Sequence, residues 1–204
     1  MTLYSLKPGF QGLLRPLAGK IARRGGTANQ VTLAAGAGSV LLGGVLARWG
    51  DARGLFVLLP IWLFLRMAFN AIDGMLAREF GQKSALGAYL NELCDVVSDT
   101  ALYAPFALVA PFSPQWTLAA VFLAALSEMA GLLGPMVGAS RRYDGPLGKS
   151  DRALVFGALA LWIGLAGSVP AVLAWLMPGV AVLLLMTTTN RVRRGLVEIG
   201  GATP

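Results

Sequence analysis

Residues 55–99 read LFVLLPIWLFLRMAFNAIDGMLAREFGQKSALGAYLNELCDVVSD, and the change of character inside this stretch decides the fold. An apolar run passes through Arg66 into Asn70 and Asp73, and a second run beyond a short polar connection carries Asn91, Asp95 and Asp99. Arg66, Asn70, Asp73 and Ala77 step by four, three and four, which puts them on one helical face. Gly87, Asn91, Asp95 and Asp99 step by four each time and share a face of the next helix. The connection EFGQKS is short, so the two helices are expected to be antiparallel neighbours, with Asp73 turned toward Asn91 and Asp95 across a shared cleft.

The surroundings make these polar groups expensive. Of 204 residues, 56% are hydrophobic and 13% charged, against about 25% charged in a soluble domain. Apolar blocks at 31–50, 55–74, 85–112, 116–139, 152–167 and 170–190 each approach the length of a spanning helix. The expected fold is an all-α integral membrane protein of six transmembrane helices. A basic N-terminal segment, 1–28, precedes the membrane domain, 29–204. It is read as an amphipathic juxtamembrane helix: Phe10, Leu13, Leu14, Leu17 and Ile21 oppose Arg15, Lys20, Arg23 and Arg24. It does not read as a cleavable signal peptide.

Fourteen of the 17 lysines and arginines fall before the first block, in alternate connections or after the last. That bias places both termini and the polar cluster on the cytoplasmic side of an inner, bacterial-type membrane. The net charge of +7 is thereby explained by topology, with no nucleic acid required. The single Cys94 excludes an intramolecular disulfide and is expected to pack. A carboxylate inside a bilayer costs roughly a few kcal/mol and normally faces a cavity, a partner or a reaction. With oxygen ligands and neither His nor thiolate, the cluster suits a hard divalent cation, Mg²⁺ or Mn²⁺, beside a phosphate substrate. Gly74, Ala77 and Gly87 allow close approach of a helix or ligand. Arg78 is either a phosphate clamp or an interfacial anchor.

The stretch DGMLAREFGQKSALGAYLNELCD resembles the signature of the CDP-alcohol phosphatidyltransferases, D-x2-D-G-x2-A-R-x8-9-G-x3-D-x3-D, at Asp73, Gly74, Ala77, Arg78, Gly87 and Asp95. TANQVT, before the first block, is similar to the family's P-N-x-x-T. The resemblance implies transfer of a phosphoalcohol group from CDP-diacylglycerol or a related CDP-alcohol to an acceptor hydroxyl, with release of CMP. It also implies two divalent cations on the four signature carboxylates, the last of which, Asp95 here, is the general base. Asn29, Thr32 and Ser84 would help bind the CDP-lipid, and Lys149 and Arg152 would belong to an acceptor pocket. The family commonly forms homodimers.

Two signature carboxylates are replaced, by Asn70 and Asn91. Asp99 adds a carboxylate one turn beyond Asp95, and an Asp95/Asp99 pair is one candidate source of the missing charge. Asn70, Asp73, Asn91, Asp95 and Asp99 are therefore the candidate metal ligands. Glu128, deep in the fourth block, is expected either to pair with Arg66 or to line the acceptor cavity with it. Thr27 or Asn29 is expected to cap the first spanning helix, and Ser150 the fifth. Gly134 with Gly138, and Ala35 with Ser39 and Gly43, are spaced for close helix contact. Two other functions fit the residues: a catalytically silent CDP-lipid-binding protein, and a small transporter relaying protons through carboxylates.

Overall fold

The computed structural model describes residues 3–201, with side chains from Gly9 onward. Met1, Thr2 and residues 202–204, at the outer ends of the expected segments 1–28 and 29–204, lie outside the described residues, as does the side chain of Lys7.

Helices account for nearly all of it, and no strand occurs among the described residues: α1 (Leu3–Arg23), α2 (Ala28–Trp49), α3 (Leu58–Glu79), α4 (Ala85–Tyr103), α5 (Pro114–Leu133), α6 (Lys149–Ala166) and α7 (Leu176–Gly200). Short 3-10 turns extend several of them; Arg53–Val57 leads into α3 and Ala171–Trp175 into α7. Four segments are long and apolar enough to cross a membrane: Ala28–Trp49, Arg53–Glu79, Pro114–Val137 and Ala171–Gly200. The helices α4 and α6 fall short of that description for a chemical reason. One carries Glu92, Asp95 and Asp99, the other Lys149, Asp151 and Arg152.

The starts of these helices are written locally. Thr27 accepts from the Gln30 backbone while the Gln30 side chain accepts from the Thr27 N–H, a capping box that opens α2. Ser84 caps α4 by accepting from Gly87 N at 2.9 Å. Ser150 does not cap α6; the helix begins at Lys149, and the Asp151 carboxylate accepts from Gly148 N at 2.8 Å.

Packing corrects one expectation. The helices α3 and α4 are not closely packed neighbours. Instead α2 packs tightly against α4 and also against α3, and α3 takes α1 on its other flank. The polar faces of α3 and α4 thus look onto a space that α2 backs. Close approach of α2 to α4 depends on two glycines. A Cβ at Gly36 would sit 3.3 Å from Cys94 Sγ, and one at Gly43 would overlap the Ala101 carbonyl. Gly134 and Gly138 serve a different purpose, turning the chain after α5, with Gly138 at φ 87°.

The main apolar core lies at the opposite end of the bundle from this space. Leu46, Phe56, Leu102, Tyr103, Phe106 and Phe156 are at its centre, and Tyr103 stacks on Phe156 with ring centroids 4.0 Å apart. A second cluster seats α1 on α3 through Leu14, Ala18 and Ile21 against Ile72, Met75 and Leu76. Large apolar side chains such as Leu41, Phe64, Phe122 and Leu154 point outward, as a bilayer solvent requires.

Candidate active site

A cavity of about 640 Å³ opens between α3, α4 and the N-terminal turns of α2, a volume within the range of small-molecule sites. From α2 it takes Asn29 and Thr32; from α3, Asn70, Asp73, Gly74, Ala77 and Arg78; from α4, Gly87, Asn91 and Glu92. The connecting turn adds Gln82, Lys83 and Ser84. The helical spacing read from the sequence accounts for this convergence. Each face repeats every three or four residues, and the capped start of α4 turns its face back toward α3.

Asp73 is buried and has one side-chain partner, the Thr32 hydroxyl, which donates to Oδ2 across 2.8 Å. Arg78 and Lys83 form no ion pair among the described residues. The guanidinium of Arg78 lies over Gly74, where a Cβ would come within 2.6 Å of Nη2. Gly87 is equally confined, since a Cβ there would sit 2.8 Å from Asn29 Oδ1 and 3.0 Å from Ser84 Oγ.

Asp95 and Asp99 belong to a different environment and do not line this cavity. Arg66 donates from Nη2 to Asp95 Oδ1 at 3.0 Å and from Nη1 to Asp99 Oδ1 at 2.5 Å. Lys149 takes the other oxygen of Asp95, and Arg152 reaches Asp99 Oδ2 at 3.1 Å. Arg152 also meets Glu128 Oε1 at 2.9 Å, and Arg191 lies 3.4 Å from Glu128 Oε2. Seven alternating charges thus run from Lys149 through Asp95, Arg66, Asp99, Arg152 and Glu128 to Arg191. The expected Glu128–Arg66 pair does not form, because Asp95 and Asp99 on α4 stand closer to Arg66 and Arg152 captures Glu128. Arg152, 1% exposed, is held inside this row rather than open to an acceptor.

Three participants were not foreseen from the sequence. Gln82 ties the α3–α4 turn to the start of α2, accepting from Ala28 N at 2.7 Å and donating to Gly26 O at 3.3 Å. Glu92, a quarter-turn from the Asn91 face, lines the cavity and pairs with Arg141. Arg191 reads in the sequence as one more topology charge, yet it is buried and donates to the Ser127 carbonyl at 2.5 Å. Nothing in the sequence around Gln82 distinguishes it from an ordinary turn residue.

The donor set suits one hard cation. Asp73 contributes a carboxylate, Asn70 and Asn91 contribute amide oxygens, and magnesium commonly binds through one or two carboxylates together with substrate phosphates. No group of three or more His, Cys, Asp and Glu residues is arranged to hold a metal ion among the described residues.

Comparison with known proteins gives this geometry its context. The sequence profile described as CDP-alcohol phosphatidyltransferase matches residues 26–187. The inner membrane protein YnbA of Escherichia coli (strain K12) is 48% identical over 201 residues, covering 97% of this chain and 98% of that protein. The crystal structure of Mycobacterium tuberculosis phosphatidylinositol phosphate synthase (PgsA1) with CDP-DAG bound superposes with a TM-score of 0.76 at 22% identity, over 93% of this chain and 96% of that one. The same enzyme in complex with manganese and citrate gives a TM-score of 0.76 at 21% identity, over 93% and 91% of the two chains. At these identities the structures show a shared fold.

Proposed function

The chain belongs to the CDP-alcohol phosphatidyltransferase family, membrane enzymes of phospholipid synthesis that use a divalent cation, and from that premise we propose how its own residues work. The substrate is CDP-diacylglycerol or a related CDP-alcohol, bound in the 640 Å³ cavity. One observation carries this reading: Asp73, Arg78 and Lys83 share the cavity, and none of the three forms an ion pair among the described residues. Such a site is complementary to a diphosphate that arrives with a metal ion.

Arg78 and Lys83 hold the diphosphate. Asn29, Thr32 and Ser84 offer hydrogen bonds to the nucleotide and phosphates, while Gly74 leaves room for the Arg78 guanidinium, Gly87 for Asn29 and Ser84, and the small Ala77 keeps the cavity wall low. Asp73, with the amide oxygens of Asn70 and Asn91, would hold Mg²⁺ or Mn²⁺, whose charge stabilises the departing CMP when bound. The acceptor hydroxyl oxygen attacks the phosphorus that bears the lipid. A new P–O bond forms, the bond to CMP breaks, and CMP leaves with the electron pair. Asp95 is the general base that the family resemblance implies; it takes the hydroxyl proton on Oδ2, the oxygen that becomes free when the partly exposed Lys149 side chain turns aside, while Arg66 keeps Oδ1.

We place the site at the cytoplasmic face of a six-span bundle in which α4 and α6 also cross, their charges turned toward each other and away from lipid. The bias of basic residues supports that orientation, as does the seating of α1 along α3 as the juxtamembrane element. A homodimer follows from family habit. The test is CMP release by purified protein in lipid, with CDP-diacylglycerol, Mn²⁺ or Mg²⁺ and a panel of acceptor alcohols. Metal-dependent release that disappears in Asp73→Asn supports the reading. Absence of both CMP release and CDP-diacylglycerol binding overturns it.

A further inference from the structure

Both oxygens of Asp95 are engaged by cations, Oδ1 by Arg66 at 3.0 Å and Oδ2 by Lys149, and Arg66 also donates to the Asp95 backbone carbonyl at 3.1 Å. Arg66 cannot easily release its partner. It is 5% exposed, and its other amino group is fixed by Asp99, whose second oxygen is held in turn by Arg152. The cavity's other carboxylate, Glu92, is engaged by Arg141. That leaves Asp73 as the cavity carboxylate that forms no ion pair among the described residues. The charges of Asp95 and Lys149 both act on Asp73, so these three groups form one electrostatic neighbourhood.

Resting on the transferase reading above, we infer that this site is built for a single divalent cation. The Lys149 ammonium supplies beside Asp95 the positive charge that a second ion would bring. Asp73 and two neutral amides, completed by substrate phosphates, satisfy one hard ion. A second would have to displace Lys149 and Arg66 from Asp95. The two asparagines and the lysine thus act together, with fewer negative charges in the site and a covalently tethered positive one beside them. Lys149 stands at the start of α6 with its side chain about one-third exposed, where its ammonium can lie against Asp95 without being locked in the core.

The experiment is a Mn²⁺ titration of the full chain in lipid nanodiscs with CDP-diacylglycerol, following free Mn²⁺ by electron paramagnetic resonance. One Mn²⁺ per chain is expected for the wild type. Lys149→Met should tighten it about tenfold by removing a nearby positive charge, and Lys149→Arg should restore wild-type affinity. The triple variant Asn70→Asp, Asn91→Asp, Lys149→Met should take up a second ion. Two ions on the wild type, or unchanged affinity in a folded Lys149→Met protein, overturns the inference; the single variant decides if the triple one does not fold. CMP release from the same samples, supplied with the panel of acceptor alcohols, keeps the two readings apart. Release with two ions bound overturns the ion count alone. One ion bound without release leaves the count standing and overturns the transferase assignment.

Discussion

Asp73 and Asp99 are both buried aspartates in the polar part of this bundle, yet their surroundings differ in kind. Asp99 has a guanidinium on each oxygen, and those guanidiniums reach on to Asp95 and Glu128. Asp73 has the Thr32 hydroxyl, the Gly74 backbone N–H and an open cavity, with no guanidinium on it. A buried charge whose bonding capacity is filled by the protein holds helices together and has little left for a ligand. A charge left with spare capacity beside a cavity contributes less to the fold and is available to bind. The presence of carboxylates in a membrane helix therefore does not separate structure from function; their partners do.

The comparison can be broken at its strongest point by Asp73→Asn. CMP release should fall by about 10²-fold or more, since the ion's charged ligand is lost, while the thermal melt in detergent stays close to wild type. A melt that collapses would make Asp73 structural and erase the contrast. On the other side, Arg152→Met leaves Asp99 and Glu128 short of a buried partner and should destabilise by about 3–5 kcal/mol, read from the same melt. Little change would mean that the row is not holding the bundle. Ser84→Ala removes the cap of α4 and should cost about 1 kcal/mol, with weaker binding of CDP-diacylglycerol because the same hydroxyl faces the cavity. The smallest effect belongs to the solvent-facing pair Arg15–Glu79, 2.9 Å apart. Arg15→Ala should leave both the melt and CMP release unchanged.

Much of this was legible in the sequence, because helices impose a period. The spacing of Asn70, Asp73 and Ala77, and of Gly87 and Asn91, marks two faces, and those faces do meet one cavity. Periodicity is silent about which helix stands beside which. The insertion of α2 against both α3 and α4 is a tertiary result of small residues at Gly36 and Gly43. Periodicity is equally silent about the partners of Arg66, for which Glu128 was one of two readings and which are Asp95 and Asp99. Asp99 shares the α4 face with Asn91 in projection. Two turns of helix nevertheless carry it about 12 Å farther along the axis, out of the cavity and into the ion-pair row. Gln82 was invisible because a glutamine in a turn has no pattern to break.

The glycines on α2 have an effect at a distance. Gly43 lies eleven residues from Thr32, about 16 Å along the helix, and touches no part of the signature, yet its missing side chain gauges how near α4 may come. A single methyl group there would work like a shim: it would collide with the Ala101 carbonyl, and the seam between α2 and α4 would have to give. The spacing of a helix that lines the cavity is thus set in part by a residue that is not in the cavity.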